Sequence, residues 1–322
     1  MSERAPDAAV AGPERSSTGV ILPINAKPAR YPGRWLTALV CLFLVGCVMD
    51  AFVASPNIKW AEVGSYFFSE NVLRGLWLTV VLTIAAQSVG IVGGVILASM
   101  SMSLNPVLRT ISSAYIGLFR GTPALIQIIF WFNIGLVFPH IALRIPGTGI
   151  GFRVETNSII TPIMAAVIAL GLNEAAYMSE IVRGGIISIE LGQSEAAASI
   201  GLTHSQSMRY VILPQAIRTV IPPTANELIS MLKNTSLVSV ISAKELLTSV
   251  QEIYASNFLT IELLIVASIW YLIMTTIATI VQSYLERLFD RGSRRPGTGA
   301  SNLFHSLFRR DFSVGPSGPG AL

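Results

Sequence analysis

Five stretches of this sequence are long and apolar enough to cross a bilayer, and they constrain the fold more than any other feature. Four contain no Asp, Glu, Lys or Arg, and the one nearest the N-terminus is interrupted only by Asp50; the stretches are 35–54, 75–108, 121–143, 156–173 and 263–285. A helix needs about 20 apolar residues to cross about 30 Å of hydrocarbon. The sequence therefore predicts an all-α polytopic membrane protein.

The amino-acid composition supports a membrane protein. Only 12% of the residues are charged, whereas soluble domains carry about 25%. The two cysteines, Cys41 and Cys47, lie within one apolar run and have no metal-binding or redox spacing, which excludes a disulfide scaffold. We therefore expect a chain surrounded by lipid, with no metal site and no nucleic-acid partner.

A sixth, more polar stretch at 219–242 completes the predicted topology of about six transmembrane helices. It contains two prolines, Glu227 and Lys233, so it should face other helices or a wet cavity rather than lipid. With the N-terminus inside, 15 of the 22 Lys and Arg residues fall on the cytoplasmic side, and the inverted topology would place those 15 outside. The positive-inside rule therefore predicts that both termini are cytoplasmic.

Both ends of the chain differ in composition from the apolar middle. Residues 1–34 and 296–322 are rich in Gly, Ser and Pro, and we expect them to be disordered cytoplasmic tails. The run at 35–54 is predicted to be an additional N-terminal transmembrane helix. A cleaved signal peptide is the alternative, but the run is longer than a usual signal core and no cleavage site is clear.

The cytoplasmic segment between the fourth and fifth predicted spans is the most informative part of the sequence. The run that begins at Glu195 favours a helix, and Gly201 stands where a left-handed cap would end it. Thr203 and Gln206 form a capping-box pattern for a second helix, which Pro214 is expected to end. Such a pair either docks a partner or merely connects two spans.

The residues of this segment resemble the EAA loop of permease subunits of ATP-binding cassette (ABC) importers. The matching positions are Glu195, Ala196, Ala197, Gly201, Leu213 and Pro214. Val211 stands where the family prefers Ile. Four further blocks are similar to the branch that imports polar amino acids, at 75–80, 118–123, 172–185 and 232–241. The resemblance covers about residues 72–287, and the helix at 35–54 is additional to the usual five spans of this branch.

This resemblance implies a type I ABC importer transmembrane fold in a bacterial inner membrane. Two permease subunits, identical or related, would form a pathway that alternates between outward and inward openings. The coupling loop, about residues 186–214, would dock in a groove of cytoplasmic ATPase subunits, which bind ATP and Mg. An extracytoplasmic binding protein would deliver a polar amino acid. The chain itself would be neither an enzyme nor a cofactor-binding protein.

The residues themselves leave other classes of protein open. The chain has no phosphate-binding loop that could hold ATP, so energy must come from a partner or an ion gradient. The alternative is a secondary transporter, coupled through charged residues of the fourth and fifth spans. A membrane-embedded enzyme is disfavoured because the sequence offers no nucleophile–base pair or metal-ligand motif.

Polar residues at membrane depth permit two interpretations. Asn173 and Glu174 are candidates for the substrate pathway, where they would contact an ammonium or guanidinium group. Intramembrane charges usually pair with one another, so Arg120, Glu180 and Lys233 are expected to form structural ion pairs that fix helix packing. Glu174 belongs either to the pathway or to this ion-pair network.

Overall fold

The computed structural model of the protein describes residues 32–144 and 151–290. The tail predicted over 296–322 lies outside the described residues, as does nearly all of the tail predicted over 1–34. The chain divides into two compact units, the second of which begins at Ile58. In the first unit, helix α1 spans Pro32–Val53.

The second unit consists of helices and one hairpin. Its α-helices are α2 (Trp60–Phe67), α3 (Glu70–Ser101), α4 (Pro106–Gly121), α5 (Ala124–Phe132), α6 (Ile134–Val137), α7 (Thr156–Ile159), α8 (Pro162–Ile187), α9 (Leu191–Ser199), α10 (His204–Ser207), α11 (Leu213–Asn234), α12 (Leu246–Asn257) and α13 (Thr260–Asp290). A π-helical turn (Met208–Ile212) precedes α11, and a 3₁₀ helix (Thr235–Ile241) follows it. Strands β1 (His140–Arg144) and β2 (Gly151–Glu155) pair antiparallel, with Ala142 opposite Arg153.

The beginnings of two core helices follow directly from their local sequence. Asn105 accepts a hydrogen bond from the Val107 backbone N–H through its side-chain oxygen, at 2.9 Å, and so caps α4. Thr161 caps α8 in the same way, accepting from the Met164 N–H at 3.3 Å. Each helix also has a proline in its first turn. Proline lacks a backbone N–H, and a first-turn N–H would find no acceptor within the helix, so no hydrogen bond is lost.

Four helices within the described residues are long and apolar enough to cross a membrane: α1, α3, α8 and α13. The pair α4 and α5 adds a fifth if the two together make one span. Helix α11, which replaces most of the predicted span at 219–242, is more polar than these. The total of six spans and the cytoplasmic termini therefore stay predictions.

The predicted span at 121–143 has a different structure. Helix α4 already begins at Pro106, the axis bends by 102° between α4 and α5, and the chain is extended again by His140. The cause is Pro123, which lacks an N–H and forces Thr122 out of the helical region, to φ −117° and ψ 142°. The ends of the charge-free run at 121–143 therefore do not coincide with the ends of a helix.

Helices α3 and α8 form the centre of the second unit. A Cβ placed on Gly90 would lie 2.3 Å from the Glu174 Cγ, and one on Gly94 would lie 2.4 Å from the Met178 Cβ. These glycines let the two backbones approach closely, as their Gly-x-x-x-Gly spacing predicts. One hydrophobic core lies where α5 and the 3₁₀ helix pack against this pair, and a second joins α3 to α2, α12 and α13.

Candidate functional site

The predicted coupling segment forms a capped helix, α9, at the end of α8. Gly201 has φ +83°, a left-handed conformation that residues with a Cβ rarely adopt. Its N–H donates to the Ala198 carbonyl at 2.9 Å, and the Leu202 N–H donates to the Ala197 carbonyl at 3.1 Å. These two bonds are a Schellman motif, so the predicted cap at Gly201 is confirmed.

The second helix begins as predicted, but Pro214 does not end it. Thr203 accepts from the Gln206 N–H at 3.3 Å, and the Gln206 side chain accepts from the Thr203 N–H at 2.9 Å, which completes the capping box. The chain then passes through the π-helical turn into α11, with Pro214 in the first turn of that helix. A proline is tolerated there because first-turn N–H groups need no partner within the helix.

Helix α9 presents an exposed face and a buried one. Glu195 and Ala196 are exposed, whereas Ala197 retains only 3% of its accessible surface. Leu213 and Pro214 are also exposed, at the start of α11. Helix α9 therefore offers a surface with the Glu195 carboxylate and small side chains, and its C-terminal end is capped.

A pocket of about 500 Å³ opens between the α4–α5 bend, α8 and α11. Its lining contains polar and charged side chains from these three parts of the chain: Arg120, Thr122, Asn173, Glu174, Tyr177, Glu227 and Asn234. The guanidinium carbon of Arg120 lies 5.3 Å from the centre of the Tyr177 ring, within range of a cation–π interaction. One cation and two carboxylates thus surround a single cavity.

The two predicted pathway residues differ in how freely they face this pocket. The Asn173 side-chain amide donates to the Phe119 carbonyl at 3.0 Å and to the Gln127 side-chain oxygen at 3.2 Å, so both of its N–H groups are occupied. Glu174 is 4% exposed and accepts from the Gln87 amide at 3.1 Å. Asn173 therefore supports the α4–α5 bend, and Glu174 lines the cavity from within the α3–α8 contact.

Of the three residues expected to form ion pairs between helices, only Glu180 is in an ion pair, and its partner lies on its own helix. Glu180 pairs with Arg183, one turn along α8, at 2.6 Å. Within residues 32–144 and 151–290, neither Arg120 nor Lys233 forms an ion pair, and Lys233 is exposed. The expected pairing between helices is therefore replaced by a pair within α8, because Arg183 lies three residues from Glu180 on the same helical face.

Sequence reasoning missed Gln127 as a site residue. Its amide donates to the Phe119 carbonyl, the Thr122 carbonyl and the Thr122 hydroxyl at 2.7–3.1 Å, and so satisfies carbonyls that the bend leaves without helical partners. A glutamine four residues after a proline in an apolar run is a signal that could have identified it.

Glu245, fully buried between α3, α12 and α13, was also missed. Its carboxylate accepts from the Leu247 and Thr248 N–H groups at 2.9 and 2.8 Å, and from the Tyr271 hydroxyl at 2.7 Å. Its position directly before α12 is an N-cap signal. The described part of the chain holds no group of three His, Cys, Asp or Glu side chains that could bind a metal ion.

Comparison with known proteins identifies close relatives. The chain is 42% identical over 283 residues to the arginine transport system permease protein ArgU of Corynebacterium glutamicum, covering 87% of each chain. It is 38% identical to the L-cystine transport system permease protein TcyB of Bacillus subtilis, over 76% of this chain and 96% of that one.

Solved structures share the fold. A crystal structure of an amino acid ABC transporter with histidines matches with a TM-score of 0.62 and 33% identity, over 72% of this chain and 99% of that one. The inward-facing MetNI methionine ABC transporter matches with a TM-score of 0.53 and 20% identity, and so shows the fold alone. The importer transmembrane fold expected from the sequence is confirmed.

The family comparison agrees with these relatives. Residues 90–291 match the family described as the binding-protein-dependent transport system inner membrane component. This region contains the whole pocket and the whole coupling segment. The chain therefore belongs to the family of inner-membrane components of binding-protein-dependent transport systems.

Proposed function

We propose that this chain is the permease subunit of an ABC importer and forms the translocation pathway for a polar amino acid. The observation that carries the substrate class is the pocket, where Arg120 lies with Glu174 and Glu227. Its volume of about 500 Å³ is within the range of small-molecule sites. The relatives named for arginine and L-cystine transport support an amino acid as cargo.

The charges in the pocket complement a zwitterion. An α-amino acid carries a carboxylate, which the planar guanidinium of Arg120 can bind through two hydrogen bonds. Its ammonium group, or a cationic side chain, can be accepted by Glu174 and Glu227. The Asn173 oxygen adds an acceptor, while its amide nitrogen is held by the bend. A low dielectric around the pocket strengthens each of these contacts.

Transport by this subunit requires partners. Cytoplasmic ATPase subunits, with ATP and Mg, would supply the energy and dock on the coupling segment that contains Glu195, Ala196, Ala197 and Gly201. A second permease subunit and an extracytoplasmic binding protein would complete the importer. Six spans with both termini inside a bacterial inner membrane would place that segment in the cytoplasm, where 15 of the 22 basic residues fall.

Uptake of radiolabelled amino acids into proteoliposomes that contain the assembled importer tests this proposal. Uptake should require ATP inside, with the ATPase subunits, and the binding protein outside. Gly201→Asp should abolish uptake while leaving membrane insertion intact, because it disrupts the left-handed cap rather than a span. Glu195→Lys should weaken the pull-down of the ATPase specifically.

The substrate role of the pocket has a separate test. Glu174→Gln should reduce uptake and substrate-stimulated ATP hydrolysis. Unchanged values for both would remove Glu174 from the pathway. Uptake that persists without the ATPase, and collapses when an ion gradient is dissipated, would replace the importer with the alternative, a secondary transporter.

A further inference from the structure

The start of α11 contains a widened helical turn and a side chain that bridges it. The Leu213 N–H donates to the Met208 carbonyl, five residues earlier, which defines the π-helical turn. Pro214 follows immediately, and the wider turn makes room for its ring beside the preceding carbonyls. The Val211 carbonyl accepts a hydrogen bond from the Gln215 side-chain amide at 2.9 Å. Gln215 thus fixes the first turn of α11 to the π-helical turn before it.

The same amide also reaches the coupling helix. Gln215 Nε2 donates to the side-chain oxygen of Gln193 on α9 at 3.3 Å, across 22 positions of sequence. Ala197, on the same short helix, is buried at 3% exposure. Glu195, which would meet the ATPase, lies two residues from Gln193. One side chain therefore connects the docking helix to the beginning of α11.

Helix α11 continues from this connection to the pocket. Glu227 follows Gln215 by 12 residues on one helix, a distance of about 18 Å at 1.5 Å per residue. The beginning of α11 also lies directly against the end of α8, since a Cβ on Gly185 would be 2.3 Å from a methyl carbon of Val220. Two prolines, at positions 222 and 223, lie within α11 between Gln215 and Glu227, so the packing of α11 against α8 is what would carry a displacement of α9 past them to the pocket wall.

We infer that Gln215 is a positioning residue for energy coupling: by donating to Val211 and Gln193, it makes α9 and α11 move as one body. This inference rests on the proposed function, because it concerns how ATPase movement reaches the pathway. Rigid elements that shift between discrete arrangements carry such movements better than flexible connections. Without the hydrogen bond between Gln215 and Gln193, α9 could move with the ATPase without an equal movement of α11.

Two matched variants test the direction of the hydrogen bonds. Gln215→Glu replaces the donor with an acceptor, so it can donate to neither Val211 nor Gln193. Gln193→Glu introduces the same charge but keeps the oxygen that accepts from Gln215. We expect Gln215→Glu to lower the number of amino acids imported per ATP hydrolysed by at least about fivefold, the factor that corresponds to one ordinary hydrogen bond, because this variant loses both bonds. Gln193→Glu should keep that ratio within about twofold of the wild type.

The measurement uses the complete importer in proteoliposomes, with uptake and ATP hydrolysis recorded on the same sample. Co-purification of the ATPase with each variant reports whether the docking surface itself is intact, and it should be unchanged. Gln193→Leu covers the case in which Gln215→Glu does not fold, because it removes the link from an exposed position. It should lower the same ratio.

Each contrary result is distinct. If Gln215→Glu and Gln193→Glu lower the ratio equally, added charge is the cause and the inference is wrong. A wild-type ratio in Gln215→Glu or in Gln193→Leu also overturns it, while the proposed function stands. Absence of ATP-dependent uptake by the wild-type complex would instead refute the proposed function.

Discussion

Helices α3 and α13 are similar in length and in the hydropathy of their most apolar stretch, yet they pack in different ways. They have 32 and 31 residues, and 39% of that stretch is buried in α3 against 17% in α13. The difference lies in small residues. Helix α3 contains four glycines, at positions 75, 90, 93 and 94, and α13 contains none.

The glycines of α3 bring neighbouring backbones into contact. Gly90 and Gly94 lie against α8, and Gly75 lies against α12, where an added Cβ would be 2.5 Å from the Ser249 hydroxyl oxygen. Close backbone approach increases van der Waals contact, the main attraction available between helices in lipid. Helix α3 therefore holds the second unit together from its centre.

Helix α13 is held by a few specific groups in its N-terminal half. The Trp270 ring stacks on Phe67 with centroids 4.8 Å apart, and its N–H donates to the Phe67 carbonyl at 2.9 Å. The Tyr271 hydroxyl reaches the buried Glu245. Further along, Ile277 and Ile280 are exposed. Hydropathy thus indicates that a helix lies in lipid, whereas glycines and specific polar side chains determine which other helices pack against it.

The largest destabilisation is expected when a side chain is added at one of the glycines of α3. In Gly94→Val, the Cβ would lie 2.4 Å from the Met178 Cβ and 2.9 Å from its carbonyl carbon, and this backbone cannot move aside. We expect the free energy of unfolding to fall by about 3 kcal/mol, measured by denaturation in detergent micelles. Thr276→Val, at an exposed position of α13, is the matched control. A wild-type denaturation curve for Gly94→Val would contradict the close contact.

The next largest effect is expected at the polar anchor of α13. Tyr271→Phe removes the hydroxyl that donates to Glu245 at 2.7 Å and leaves the buried carboxylate with fewer donors. A buried acceptor that loses a donor costs about 1–3 kcal/mol, so the loss should be about 2 kcal/mol in the same assay. Tyr284→Phe changes an exposed tyrosine of the same helix and should cost nothing measurable. Equal effects of the two variants would mean that Glu245 does not depend on this donor.

A smaller effect separates stacking from hydrogen bonding at Trp270. Trp270→Phe keeps an aromatic ring against Phe67 but loses the indole N–H, and it should destabilise the protein by about 1 kcal/mol. Trp77→Phe on α3 is the control, because Trp77 is 69% exposed. If Trp77→Phe lowers the free energy of unfolding as much as Trp270→Phe does, the smaller ring rather than the lost hydrogen bond causes the effect.

The smallest effect is expected on the exposed face of α13. Ile280→Ala should change the free energy of unfolding by less than about 0.5 kcal/mol, because the side chain is 64% exposed. Met274→Ala, on the buried face, should cost about 2 kcal/mol or more. A loss above about 1 kcal/mol for Ile280→Ala would show that this face is covered by protein.

Features that depend on a few neighbouring residues could be predicted from the sequence. The cap at Gly201 and the capping box of Thr203 and Gln206 need only residues within one or two turns, and both are present. The close approach at Gly90 follows from a spacing of four. Pro214 shows the limit of such rules, because a π-helical turn shifts the register and lets a proline begin the next helix.

Features that depend on distant residues could not be predicted. Gln127 and Asn173 are 46 positions apart, and their contact exists only because the α4–α5 bend places them together. The polarity of its own segment predicts that Glu227 faces other helices or a wet cavity, but not which ones, because the pocket forms only where α11 packs against α8. The ion pair of Glu180 is a different case, because its partner Arg183 lies only three residues away and a local spacing could have predicted it.

The α4–α5 bend leaves helix α5 too short to cross a bilayer alone. Helix α5 has nine residues and is about 14 Å long, less than half of a hydrocarbon core of about 30 Å. The Phe119 carbonyl at the bend accepts from Gln127 of α5 and from Asn173 of α8. Side-chain contacts within the protein, rather than the thickness of the bilayer, therefore fix where α5 lies.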